Sequence, residues 1–103
     1  MGEAIVVSRD LMMRTRLEDA ARAAGHAILS ASSDTAPSLV LVDLDADGAM
    51  DEVRTMRERF PDARVVAFVS HVDRARWDEA SSLGVEVHPR GASTRATAIL
   101  AES

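Results

Sequence analysis

A doubly wound parallel α/β sheet is the fold class this sequence predicts, and three observations carry that reading. Leu39-Val40-Leu41-Val42 is a solid apolar run too short for an ordinary helix, the mark of a strand buried on both faces. Similar runs stand at residues 4–7 and 65–69. The segments between them carry apolar residues at helical spacing, so strands and helices alternate along the chain.

Each element has its own justification. Residues 4–7 end at Ser8-Arg9-Asp10, a strand followed by a turn, and Asp10 is placed to cap the helix after it. Over residues 11–24, Met13, Leu17, Ala20, Ala21 and Ala24 form one helical stripe, and Gly25 supplies a left-handed stop. Residues 26–29 make a weaker second strand. Residues 30–38 are loop-like and too short for a normal crossover helix. The third strand, residues 39–42, delivers Asp43 at its end. Asp47-Gly48 is a turn, after which Met50, Val53, Met56 and Phe60 predict a helix stopped by Pro61. Residues 65–69 are the fourth strand and residues 73–83 a helix, with Asp73 near its start and Gly84 at its end. A short fifth strand at 85–87 precedes a last helix capped by Ser93 and carrying Ala96, Ile99 and Leu100. Right-handed crossovers place helices on both faces of a five-stranded sheet, in the flavodoxin-like order 2-1-3-4-5 with the second helix shortened or missing.

Composition narrows the function. A chain of 103 residues is expected to be one domain, residues 1–103. Its net charge of −5 argues against a nucleic-acid partner, which needs a basic stripe. Cysteine is absent, which excludes disulfide and thiolate chemistry. No apolar stretch approaches the ~20 residues of a membrane span, and the N-terminus has no signal-like pattern, so a cytoplasmic protein is expected.

In a sheet of this order the carboxyl ends of strands one, three and four meet at the switch point. That gathers Ser8, Arg9 and Asp10 with Asp43 and Ser70. From residue 5 to about residue 100 the sequence resembles the receiver domain of bacterial two-component response regulators. Ile5 through Gly25 has the length and stripe of that family's first strand and helix, and Leu39-Val40-Leu41-Val42-Asp43-Leu44-Asp45 fits the phosphoacceptor strand. Val65 through Ser70 fits the switch strand, and Val87-His88-Pro89-Arg90 occupies the family's Lys-Pro region. The resemblance implies Asp43 as the phosphoacceptor-equivalent, in a pocket formed with Ser8, Arg9, Asp10, Asp45, Ser70, His88 and Arg90.

The departures define a degenerate, pseudo-receiver pattern. Ser8 and Arg9 stand where receivers carry the acidic pair that holds Mg²⁺, and Asp10 comes one position late. His88 or Arg90 stands in place of the lysine. Phosphoryl transfer to a carboxylate needs a cation held by several oxygens. Like unit charges ~4 Å apart repel by about 4 kcal/mol at an effective dielectric of 20. Arg9 beside Asp43 is therefore expected to exclude Mg²⁺ and to replace it in a charge-assisted pair, leaving no cofactor.

Other patterns are weaker. Asp43-Leu44-Asp45-Ala46-Asp47-Gly48 imitates the start of a calcium loop, but Arg54 stands where the closing Glu belongs. Asp45 and Asp47 suit a turn better than a metal site. His71 is expected to crowd Asp43, and His26, His71 and His88 come from separated segments. Nothing resembles a nucleophile elbow or a phosphate loop, so no enzymatic activity is expected. Trp77, in what corresponds to the family's fourth helix, is either a core residue in register with Ala80 and Leu83 or an exposed anchor for a partner. The expected function is a phosphorylation-independent signalling module acting on a protein partner or on itself, as a homodimer. An active receiver accepting phosphate on Asp43, and a small-anion sensor using Arg9 and Ser70, are the alternatives.

Overall fold

The computed structural model describes residues 2–29, 35–70 and 73–101. Its strands are β1 (Gly2–Val7), β2 (His26–Leu29), β3 (Leu39–Asp43), β4 (Arg64–Val69) and β5 (Glu86–Pro89). Its helices are α1 (Leu11–Ala23), α2 (Ala49–Arg59), α3 (Arg74–Ser82) and α4 (Ala96–Ala101), with a 3-10 turn over Arg90–Arg95. The strands form a single sheet in the order β2-β1-β3-β4-β5, all parallel. This is the flavodoxin-like arrangement expected from the sequence.

Alternation along the strands divides the core. Ala4, Val6, Leu39, Leu41, Val66 and Phe68 face α1 and α4, where Met13, Leu17, Ala20 and Ala21 meet them. Ile5, Val40, Val42, Val65, Ala67 and Val69 face α2 and α3, packed by Val53, Met56 and Ala80. β3 is buried along its whole length, as its unbroken apolar run requires. Asp43 is therefore delivered from the most enclosed strand of the sheet.

Local chemistry sets the helix ends. The Asp10 carboxylate accepts from the backbone N–H groups of Met12 at 3.0 Å and Met13 at 3.3 Å, so it caps α1. Gly25, at φ 93°, turns the chain out of α1 into β2. Asp73 caps α3, accepting from the Arg76 N–H at 3.2 Å.

Two boundaries differ from the sequence reading. β5 begins at Glu86 rather than Val85 and runs on to Pro89, because Val85 is buried ahead of the strand while β5 pairs with Val66–Val69. Ser93 does not cap the last helix. It is buried inside the 3-10 turn, and its Oγ accepts from Arg16 of α1 at 2.9 Å. No helix stands between β2 and β3 among the described residues, in keeping with the expected loss of the second helix; residues 30–34 of that connection lie outside them. No described helix is long and apolar enough to cross a membrane.

Candidate functional site

The carboxyl end of the sheet holds a cluster built around one guanidinium. Asp43 closes β3 and is 3% exposed. Arg90 enters from the far side, where the 3-10 turn after β5 folds back over the sheet. Its Nη1 donates to Asp43 Oδ1 at 2.6 Å and lies 3.3 Å from Asp45 Oδ2. Its Nη2 donates to Asp10 Oδ2 at 3.1 Å. One side chain thus joins carboxylates from the β1–α1 turn, the end of β3 and the β3–α2 loop.

Burial works against the charged form of Arg90, but the carboxylates of Asp43, Asp45 and Asp10 outweigh it. They hold the guanidinium above its ordinary value, so it is a permanent cation. The pair it makes with buried Asp43 is charge-assisted and short. Its presence is not in itself a gain in stability, since burying the ions offsets much of their attraction; losing one partner alone is what costs.

The remaining oxygens are also engaged. Asp45 N–H donates to Asp43 Oδ1 at 3.1 Å, closing a turn on the side chain. Ser8 Oγ lies 3.4 Å from Asp43 Oδ2 and accepts from the Asp10 N–H at 3.2 Å. Asp45 Oδ1 accepts from the Ser70 N–H at 3.1 Å, tying the β3–α2 loop to the end of β4. Asp10 Oδ1 is used by the cap of α1. Among the described residues no group of three or more His, Asp or Glu side chains is arranged to hold a metal. Arg90 takes up oxygens of Asp10, Asp43 and Asp45.

The structure brings together Ser8, Asp10, Asp43, Asp45, Ser70 and Arg90, and it corrects the assignment of Arg9. Arg9 is exposed and forms no ion pair with Asp43. Ser8 is buried with its Oγ turned to Asp43, while Arg9 stands beyond β1 in the β1–α1 turn and is exposed there. The cation beside Asp43 is Arg90, reached only through the fifth strand. Ser70 contributes its backbone N–H to this cluster. His88 stands outside it, with its ring 5.9 Å from that of Phe68, its partner in the sheet register. His26 and His88 lie on opposite edge strands of the sheet. His71 falls outside the described residues. Trp77 is half-buried on α3 and packs against the core of the α2/α3 face.

No protein-family model matches this sequence, and no curated protein matches it. Solved structures do match its fold. A response regulator receiver domain protein from Clostridium thermocellum superposes with a TM-score of 0.77 at 17% identity, over 97% of this chain and 90% of that one. The receiver domain of AraT, a response regulator from Geobacillus stearothermophilus, gives 0.74 at 12% identity over 97% and 90%. A structure described as adenylate cyclase from Rhodopirellula baltica gives 0.69 at 13% identity over 98% and 93%. The chain therefore has the fold of response regulator receiver domains.

Proposed function

We propose that this chain is a receiver-fold signalling module that works through protein contacts without phosphorylation, its acidic pocket held closed by Arg90. The observation that supports this is the 2.6 Å contact between Arg90 Nη1 and Asp43 Oδ1. For Asp43 to accept a phosphoryl group, one of its oxygens must lie open in line with the donor, beside a cation that neutralises the incoming charge. Both Asp43 oxygens are instead engaged within the chain, and the cation is tethered covalently. Mg²⁺ binding is then weak and no cofactor is needed.

The module has no enzymatic role in this reading, and its setting is the cytoplasm. It presents the face formed by α3, β5 and α4 to a protein partner, with half-buried Trp77 as a contact residue. The small-anion alternative loses support, because the groove lined by Arg9 does not include Ser70.

Intact-mass measurement after incubation with phosphoramidate and Mg²⁺ tests the reading. The unmodified mass is expected throughout. A labile phosphate adduct, lost in Asp43→Asn, would establish an active receiver and overturn it.

A further inference from the structure

A second charged feature lies beside the Arg90 cluster and takes no part in it. Between the β1–α1 turn and the start of α2 runs a groove of about 220 Å³. Arg9 and Arg14 line one wall, and Asp47 and Glu52 line the other. All four side chains are exposed. Arg14 donates to the Ser8 carbonyl oxygen at 2.6 Å, and Arg9 makes no bond at all within the described residues. Neither Asp47 nor Glu52 has an ion-pair partner among the described residues, although each shares the groove with two cations. Several other acids are paired with nearby arginines: Asp51 and Glu79 with Arg54, Glu86 with Arg64, and Asp73 with Arg76. Exposed Glu58 and Asp62, which share no groove with two cations, have no such pair among the described residues.

Adjacent walls of opposite sign have a particular symmetry. A two-fold axis through the groove lays the basic wall of one copy over the acidic wall of the other, and does so twice. Each guanidinium left without a carboxylate in the monomer then meets one across the interface. Leu11, 76% exposed in the first turn of α1 and one helical turn before Arg14, adds apolar area at the rim. We infer that this end of the molecule is a self-complementary surface, through which two copies of the chain associate with Arg9 and Arg14 of each against Asp47 and Glu52 of the other. This goes beyond the reading of the Asp43 pocket and uses a different surface from α3, β5 and α4.

Salt alone does not decide the matter. Screening weakens the local attraction but also relieves repulsion between two chains of net charge −5. Charge exchange does decide it. Sedimentation equilibrium of the full chain is expected to show a reversible monomer–dimer equilibrium. Arg9→Glu and Glu52→Arg are each expected to weaken it about tenfold by setting like charges opposite one another. The double variant Arg9→Glu/Glu52→Arg is expected to recover dimerisation. Trp77→Ala is expected to leave it unchanged, which separates this surface from the partner face proposed above. A chain that stays monomeric at all concentrations overturns the inference, as does a dimer indifferent to the two single reversals. Single variants that weaken the dimer with no recovery in the double variant also overturn it, since the effect is then not one of complementary charge.

Discussion

The two ends of this sheet use arginine in opposite ways. At the amino end, Arg57 of α2 donates to the carbonyl oxygens of Leu83, Pro61 and Ala63, closing loops that enter β4 and β5. Arg64 pairs with Glu86 across neighbouring strands and reaches the last carbonyls of α4. These guanidiniums satisfy backbone acceptors and helix ends, which is structural work. At the carboxyl end, Arg90 is spent on three carboxylates, one of them buried. Acids gathered where parallel strands end are the usual raw material of a site. A cation supplied from within the chain turns that material into a fixed contact.

If the contrast is right, Arg57→Ala gives the largest loss of stability, about 3 kcal/mol, because three carbonyls lose a charged donor at once. Urea denaturation measures it, and Mg²⁺ is expected to recover none of it. Arg90→Ala is expected to cost about 2 kcal/mol: it strands buried Asp43, while the guanidinium's own partial exposure and solvent screening reduce the loss. Here the ends separate. With the guanidinium gone, Asp43 loses its cation, so millimolar Mg²⁺ is expected to raise the melting temperature of this variant alone.

Asp10→Ala removes both a helix cap and one anchor of Arg90, with an expected cost of about 1 kcal/mol. Glu86 offers a test by pH at the structural end. The hydrogen bond from Arg64 holds its carboxyl below the ordinary value of 4.5, against the opposing effect of burial. A depressed carboxyl contributes stability that is complete above about pH 4.5 and is lost as pH falls through the folded-state value. Glu86→Gln is therefore expected to lower stability modestly at neutral pH and to converge with the wild-type chain as pH falls through the folded-state value, which flattens the profile at the acidic edge. Smallest is Arg9→Ala, expected to move stability by less than about 0.5 kcal/mol, as for an exposed side chain without an internal partner.

Much of this was legible before any coordinates. The buried strands announce themselves as apolar runs, and the Asp10 cap, the Gly25 stop and the short β2–β3 connection follow from local chemistry. What failed depended on distance along the chain. Ser93 has the form of a helix cap, but it is buried as the acceptor for Arg16, a contact between α1 and the 3-10 turn that no local pattern announces. Val85 reads as strand because it is apolar, yet the register of β4 starts β5 one residue later.

The cation at the site was misassigned for the same reason. Arg9 is next to Asp10 in sequence, whereas Arg90 reaches Asp43 across 47 residues. Two signals could have corrected this. Arg9 falls in the turn between a strand and a capped helix, where side chains run over the surface. Arg90 also occupies the region where receivers carry their lysine, so a cation arriving from that direction was already in view.

The central claim is that Arg90 holds the place a divalent cation would need. Titrating the isotopically labelled wild-type chain with Mg²⁺, while following the backbone amides of Asp43, Asp45 and Ser70 by NMR, tests it most directly. No saturable change at those amides is expected through the millimolar range. Saturable millimolar binding centred on Asp43 in the wild-type chain would contradict the account.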